Sequence, residues 1–281
     1  MSLNTKISHY EFVLFQKLIH ERCGILMTED KAFLLESRLA KLLAENKIKS
    51  FINLYQLLCD KKSKLLFQKL IDAITTKETF WFREKTPWSV LEDKLLPHYI
   101  DMLKTGKSSK IKIWSAACAT GQEPYSIAMC IDRHLKLQQV KHITLENFEI
   151  LATDIASDAL TIAQKGIYDE VSMTRGISGY YKANYFEQTG RYWTVDERIR
   201  NAVQFQKFNL LEPCTYGLFD LIFCRHVLIY FSEQHKQEVL NKMAAVLKPG
   251  GILFLGNSEI LPTSILSLKP EIFSNNKYYK V

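Results

Sequence analysis

IKIWSAACATGQEPYSIAMCIDRHLKL, residues 111–137, is the stretch on which the fold turns. IKIWS at 111–115 is a short apolar strand. Pro124 opens a helix that runs to about Leu137. Between them lies a turn of small residues that feeds the helix N-terminus. Small side chains let a ligand come close to the backbone there. This turn has only Gly121 and no GxGxxG, which argues against a dinucleotide such as NAD.

Downstream, strands keep alternating with helices. FEILATD (148–154) is a strand, and Ser157 is expected to cap a helix to Lys165. VQFQKF (203–208) alternates as a strand. FDLIFC (219–224) is nearly continuous in apolar residues, as buried parallel strands are. Ser232 caps a helix to Leu247, which Pro249-Gly250-Gly251 ends. ILFLG (252–256) is another strand, and KYYKV is expected as a last edge strand. This order predicts an α/β fold with a doubly wound, mostly parallel sheet. Residues 166–202 interrupt it. They are rich in Tyr and Gly, as an antiparallel β insertion would be.

Upstream, residues 1–76 read as a small all-helical N-terminal domain. Ser8 and Glu11 form a capping box ahead of Phe12, Phe15, Leu18 and Ile19, and Gly24 is the stop. Further helices are expected at about 29–46, 50–58 and 65–74. Residues 77–110 connect the two parts, with Thr86-Pro87 as N-cap and first residue of a helix ending near Lys104. The catalytic part is then 111–281.

Composition sets outer limits. The chain has 281 residues, with 47% apolar and 24% charged, ordinary values for a globular protein. No run approaches the roughly 20 apolar residues of a membrane span. The N-terminus lacks a signal peptide's apolar core, so the cytoplasm is expected. Six cysteines without a CxxC pair argue against disulfides and structural zinc. A balance of 37 basic to 30 acidic side chains (+7) is too mild to imply nucleic acid. No P-loop, G-x-S-x-G elbow or HExxH occurs, and no metal is expected.

Ligands of open α/β sheets bind beyond the strands' carboxyl ends. Four segments end there. The turn 115–126 is one. Asp154, at the tip of its strand, is the usual acceptor for ribose hydroxyls; capping the next helix is the alternative. Asn209 follows strand 203–208, where its amide can offer a donor and an acceptor to a base edge. CRHVLIYF (224–231) sets Arg225 and His226 in the crevice, with Tyr230 one helical turn on.

Taken together, these segments resemble the CheR family of chemotaxis receptor methyltransferases. TTKETFWFRE (75–84) is similar to the family's TTNxTxFFRE. IWSAACATGQEPYSIAM looks like WSAAxSTGEEPYSxAM. ATDIASDALTIAQKGIY, FNLLEP, FDLIFCRHVLIYF and LKPGGILFLGNSE match further family segments. The resemblance covers nearly the whole chain. It implies the class I S-adenosylmethionine (AdoMet) methyltransferase fold and transfer of the AdoMet methyl to glutamate side chains on the cytoplasmic helices of chemoreceptors. S-adenosylhomocysteine is the product.

The resemblance also assigns residues. Lys77, Thr79 and Arg83 come to the cofactor from the connecting segment. Ala117, Gly121 and Glu123 come from the first turn, with Glu123 at the methionine end. Asp154 takes the ribose, and Asn209, Leu210, Arg225 and His226 border the adenosine. Tyr230 and Arg225 are the catalytic candidates, with the Tyr230 hydroxyl orienting the acceptor. Lys77 replaces Asn, Gln122 replaces Glu and His226 replaces Asn of the family pattern. Lys77 with Gln122 is expected to weaken AdoMet binding. A helix face bearing Lys31, Arg38 and Lys41 is expected to steer acidic receptor helices. A receptor tail peptide is expected at the 166–202 insertion, and the protein is expected to be a monomer. The alternatives are a methyltransferase for another acceptor and a non-catalytic AdoMet-sensing or receptor-binding scaffold.

Overall fold

Helix periodicity and caps account for the N-terminal part of the chain. The computed structural model describes residues 6–60 and 63–281. α1 (His9–Cys23) opens on the expected capping box. The Ser8 hydroxyl accepts from the Glu11 backbone N–H, and the Glu11 carboxylate accepts from that of Ser8 at 2.9 Å. Gly24, at φ 76°, ends the helix. A 3-10 turn (Glu29–Lys31) leads into α2 (Ala32–Glu45), followed by α3 (Phe51–Cys59) and α4 (Lys64–Ile74). Leu35, Leu39 and Leu42 of α2 pack with Phe15, Ile19 and Leu54 in a core of their own. Alternation of burial at helical spacing is what holds these four helices together.

The expected helix at 86–104 forms in three pieces. α5 (Thr86–Val90) passes into a π turn (Leu91–Leu95) and then α6 (Leu96–Lys104). Pro97 has no N–H for an i→i−4 bond, and the wide turn just ahead of it absorbs that loss. Thr86 is the first helical residue here, and Lys85 takes the cap position without a side-chain bond.

β1 (Ile111–Ala116), α7 (Gln122–Leu137), β2 (Phe148–Asp154) and α8 (Ser157–Lys165) follow as read. Ser157 is not the cap of α8. Ala156 occupies that position, and the Ser157 N–H donates to Asp72 Oδ1 at 2.8 Å. The insertion holds β3 (Ile167–Asp169), α9 (Gly179–Tyr185), β4 (Phe186–Thr189), β5 (Tyr192–Val195) and α10 (Glu197–Asn201). Its strands form an antiparallel sheet in the order β3-β5-β4.

β6 (Val203–Lys207), β7 (Phe219–Cys224), α11 (Glu233–Ala245), β8 (Leu247–Leu255), β9 (Lys269–Phe273) and β10 (Asn276–Lys280) complete the chain. The main sheet runs β6-β2-β1-β7-β8-β10-β9. Its first five strands are parallel; β10 and β9 are antiparallel. The chain leaves β1 toward β2 and β6, then returns to β7 and β8 on the other side. That reversal is the topological switch point.

Three expectations at the C-terminal end need correction. α11 stops at Ala245, because Val246 O accepts from Phe219 N and Leu247 pairs with Phe219 in the sheet. Pro249-Gly250-Gly251 therefore lies inside β8, where the pairing jumps from Phe219–Leu247 to Leu221–Ile252. β10 is not an edge strand. It lies between β8 and β9, and β9 carries the edge, with Pro270 in it. β9 was not foreseen from KPEIF, which shows no clean alternation.

Candidate functional site

Four strand-to-helix turns meet at the carboxyl end of the sheet, and the helical N-terminal part roofs them. Between the two lies a cavity of about 290 Å³. The roof is tied down by chain-distant bonds. Leu26 N donates to Tyr230 O at 2.7 Å, and Ile25 pairs with Phe231 in an isolated antiparallel bridge. Gln68 Nε2 reaches Ile155 O at 3.0 Å.

The turn after β1 is built from left-handed residues. Ala117 (φ 57°), Ala119 (φ 48°) and Gly121 (φ 92°) fold the backbone tightly ahead of α7. Ala117 and Glu123 face the cavity. Gly121 does not line it. A Cβ at Gly121 would stand 2.8 Å from the Ala163 Cβ, so this glycine serves the packing of the turn on α8 and not the approach of a ligand.

Asp154 lines the cavity from the tip of β2. Its Oδ2 accepts from Ala119 N and its Oδ1 from Ala156 N, both at 2.8 Å. One carboxylate thus braces both turns and still has lone pairs to offer. Burial raises its pKa, against the pull of those two amides. Phe208 and Leu210 add apolar surface from the segment after β6. Asn209 also lines the cavity, but its amide is committed. Nδ2 donates to Arg22 O at 2.8 Å and Oδ1 accepts from Leu211 N at 3.1 Å. The donor expected to meet a base edge tethers α1, and the acceptor holds the loop at Leu211.

Arg225 sits between two carboxylates. Its side chain is 1% exposed. Nη1 donates to Glu123 Oε2 at 2.9 Å, and Nη2 to Glu84 Oε2 at 2.8 Å and to Arg83 O. Two carboxylates and a carbonyl thus engage it, and Arg225 lines the cavity with its guanidinium committed to them. Glu84 was not singled out in the sequence. It also faces His226 Nε2 at 3.1 Å. Burial opposes its charge, yet the His226 and Arg225 contacts hold its carboxyl down at about 2. Glu123 Oε1 accepts from Ser115 Oγ at 2.8 Å.

The loop after β7 is shaped by a second unforeseen acid. Glu259 is buried and accepts from the backbone N–H groups of His226, Leu228 and Gly256, each at 2.7 Å. This holds His226 at φ 60° and presents Tyr230 to the cavity. The Tyr230 hydroxyl has no protein partner among the described residues.

Thr79 and Arg83 line the cavity from the connecting segment. Arg83 spends one nitrogen on Glu78 O at 3.1 Å and lies over the Phe80 ring, leaving donors free. Lys77 does not line the cavity. It turns to Asp158 at the start of α8 and to Asp72 O at 2.6 Å. Gln122 is buried, and its amide oxygen accepts from Thr120 Oγ1. Neither substitution therefore places a charge change in the cavity wall. Of the face expected to steer receptor helices, Lys31 and Arg38 line the cavity, and Lys41 pairs with Glu45 at 3.8 Å.

The donor set fits AdoMet. Arg83 offers donors for a carboxylate, and Glu123 offers an anion for an ammonium. Asp154 offers an acceptor for hydroxyls, and Phe208, Leu210 and Met27 offer apolar walls for a flat ring. Among the described residues no group of three or more His, Cys, Asp or Glu is placed to hold a metal ion. No described helix is long and apolar enough to cross a membrane.

Sequence comparison agrees with this geometry. Residues 77–274 match the family "CheR methyltransferase, SAM binding domain", and residues 10–75 match "CheR methyltransferase, all-alpha domain". "Chemotaxis protein methyltransferase Cher2" of Pseudomonas putida is 41% identical over 255 residues, covering 89% of this chain and 90% of the relative. "Chemotaxis protein methyltransferase 1" of Vibrio cholerae is 41% identical over 257 residues, with 91% and 90% covered. The "Chemotaxis protein methyltransferase" of Borreliella burgdorferi is 34% identical over 264 residues, with 92% and 91% covered.

Proposed function

This chain belongs to the CheR methyltransferase family, and from that premise we propose how its cavity works. The protein is an AdoMet-dependent methyltransferase that methylates chemoreceptors in chemotaxis. Its acceptor, in our reading, is the carboxylate of receptor glutamates, and the product is a methyl ester. The observation that carries this is the convergence of Arg83, Glu123 and the braced Asp154 on the lining of one cavity. Arg83 takes the cofactor carboxylate, Glu123 its ammonium and Asp154 its ribose. Leu210 and Phe208 face the adenine.

AdoMet supplies an electrophilic methyl group when bound. A glutamate of reference pKa about 4.3 is already ionised at neutral pH, so no protein base is required. The residues' task is alignment and exclusion of water. Holding the reacting atoms about 3–3.5 Å apart removes several kcal/mol of barrier. Tyr230, with its free hydroxyl, orients the acceptor carboxylate. Arg225 holds Glu123 and Glu84 in place, and His226 adds a wall beside Glu84.

The helical part, 1–76, acts as roof; its separate apolar core supports that division. In this reading the protein works as a monomer in the cytoplasm. The unpaired edges of β3 and β4 support docking of a receptor tail peptide by strand addition.

The test uses methyl-labelled AdoMet and chemoreceptor-bearing membranes. Label in the receptor that mild alkali releases as methanol is expected. Alkali-stable label would assign another acceptor, and AdoMet binding without transfer would assign a scaffold.

A further inference from the structure

Arg83 sits in a strained stretch of chain. Its neighbours Phe82 (φ 48°) and Glu84 (φ 64°) are both left-handed. A non-glycine residue in that region costs on the order of 1–3 kcal/mol and persists only where its surroundings hold it. On the Glu84 side the hold comes from Arg225 at 2.8 Å and from the Asn257 N–H at 3.1 Å. On the Phe82 side, α7 gives one bond, from Phe82 N to Ser126 Oγ at 3.2 Å. The 166–202 insertion gives more. The Phe82 ring lies 4.2 Å from that of Tyr181. Trp81 is buried against Tyr168 and Phe186, with ring centroids 4.9 Å and 5.1 Å apart, and its Nε1 donates to Ser172 O at 3.1 Å.

The turn between β3 and α9 makes the closest approach. It is a built turn: the Asp169 carboxylate accepts from Ser172 N at 2.8 Å, and Met173 is buried. Gly176 (φ 81°) lies so near Trp81 O that a Cβ on it would stand 1.7 Å away. Only glycine lets the two backbones meet like this. Arg175 comes just before it. Its guanidinium pairs with the Glu78 carboxylate and lies 4.5 Å from the centre of the Phe80 ring. Arg83 uses the same two residues. It donates to Glu78 O at 3.1 Å and lies 5.2 Å from the Phe80 ring centre.

We propose that Arg175 is a positioning residue for Arg83, so that the turn carrying it belongs to the cofactor site. This rests on the reading that Arg83 takes the cofactor carboxylate. Arg175 does not line the cavity; Glu78 does, and Arg175 acts through Glu78 and Phe80. A free arginine loses much rotamer freedom when it is fixed on a ligand. Holding Glu78 and Phe80 from outside sets the surface on which Arg83 rests before the cofactor arrives, and that removes part of the cost. The Glu78 carboxylate also offsets the second positive charge on the ring. The benefit falls on the carboxylate end of the ligand alone.

The test is calorimetry on the full chain with two ligands: S-adenosylhomocysteine, and its decarboxylated form, which lacks only the carboxylate. The variants are Arg83→Ala, Arg175→Ala and the two combined. Wild type is expected to bind S-adenosylhomocysteine at least about 10-fold more tightly than the decarboxylated form, the scale of a hydrogen bond to a charged group. Arg83→Ala abolishes that preference. Arg175→Ala weakens S-adenosylhomocysteine about 5-fold, the scale of one cation–ring contact, and leaves the decarboxylated form within about twofold. Added to Arg83→Ala it changes nothing further, as expected of two residues acting through one interaction. The melting temperature of Arg175→Ala stays near that of wild type, because the Arg175 and Glu78 side chains are 53% and 54% exposed and such a pair contributes little to stability.

Unchanged S-adenosylhomocysteine affinity in Arg175→Ala overturns the proposal. Equal weakening of both ligands also overturns it, since a general loosening of the fold would do that. So does a full further loss on top of Arg83→Ala, because Arg175 would then act without Arg83. In each of these cases the loss of preference in Arg83→Ala still upholds the cofactor reading. If wild type binds both ligands alike, or Arg83→Ala keeps the preference, the reading of Arg83 has failed, and the role of Arg175 fails with it.

Discussion

The Arg225 guanidinium donates to the Glu84 carboxylate at 2.8 Å across 141 residues of chain. With the second bond to Glu123, it locks the connecting segment, the first turn and the loop after β7 into one polar frame. Arg225 is buried and both carboxylates are largely covered, so the parts of the frame stand or fall together. Removing one partner of a buried pair leaves an uncompensated charge, which costs more than the pair contributes.

Arg225→Ala should therefore destabilise the fold by about 3–5 kcal/mol, as other broken buried pairs do. Arg225→Lys should rescue little, because one ammonium cannot reach two carboxylates in a forked geometry. Denaturant unfolding of the three proteins checks this. Wild-type stability in Arg225→Ala would refute it.

The same frame sets an acid limit. Glu84 is depressed from 4.5 to about 2 by His226 and Arg225, against the opposing effect of burial. A carboxyl lowered in the folded state contributes stability above its unfolded pKa and loses it as pH falls to the folded one. That window runs from about 4.5 down to about 2. Melting temperature should fall through it for the wild type, and less steeply for Glu84→Gln.

Asp154→Ala should cost AdoMet affinity at least about 10-fold and lower the melting temperature as well. The carboxylate serves the cavity and also holds the amides of Ala119 and Ala156. Calorimetry and a thermal melt on the same sample separate the two effects. Loss of affinity without loss of stability would show that the bracing bonds contribute nothing.

Lys77→Asn, which restores the family pattern, should leave AdoMet Kd within about twofold, because the ammonium faces Asp158 and not the cavity. An affinity gain well beyond that would place Lys77 in the site after all.

Tyr230→Phe should lower kcat about 10-fold and leave AdoMet affinity unchanged, since only an orienting hydroxyl is removed. Steady-state kinetics on labelled receptor decides it. Full turnover would end the orienting role.

Much of this protein was legible in local signals. Caps such as Ser8 with Glu11, Ser50 and Ser232 act within one turn, so helix starts were readable at these positions. Apolar runs separated by helices gave the parallel core, and the rule that ligands bind at strand carboxyl ends placed Asp154, Asn209 and Tyr230 at one cavity. What each side chain does there was decided only by partners far away in sequence. Asn209 is claimed by Arg22, Lys77 by Asp158 and Arg225 by Glu84. Lys31 and Arg38 became cavity wall because the roof docks with that stripe inward. β9 and the inner position of β10 likewise depend on pairing across the sheet. Periodicity and capping are short-range and are written in the chain. The direction a polar side chain takes is set by the nearest unmet charge or amide, and only the folded structure brings that group within reach.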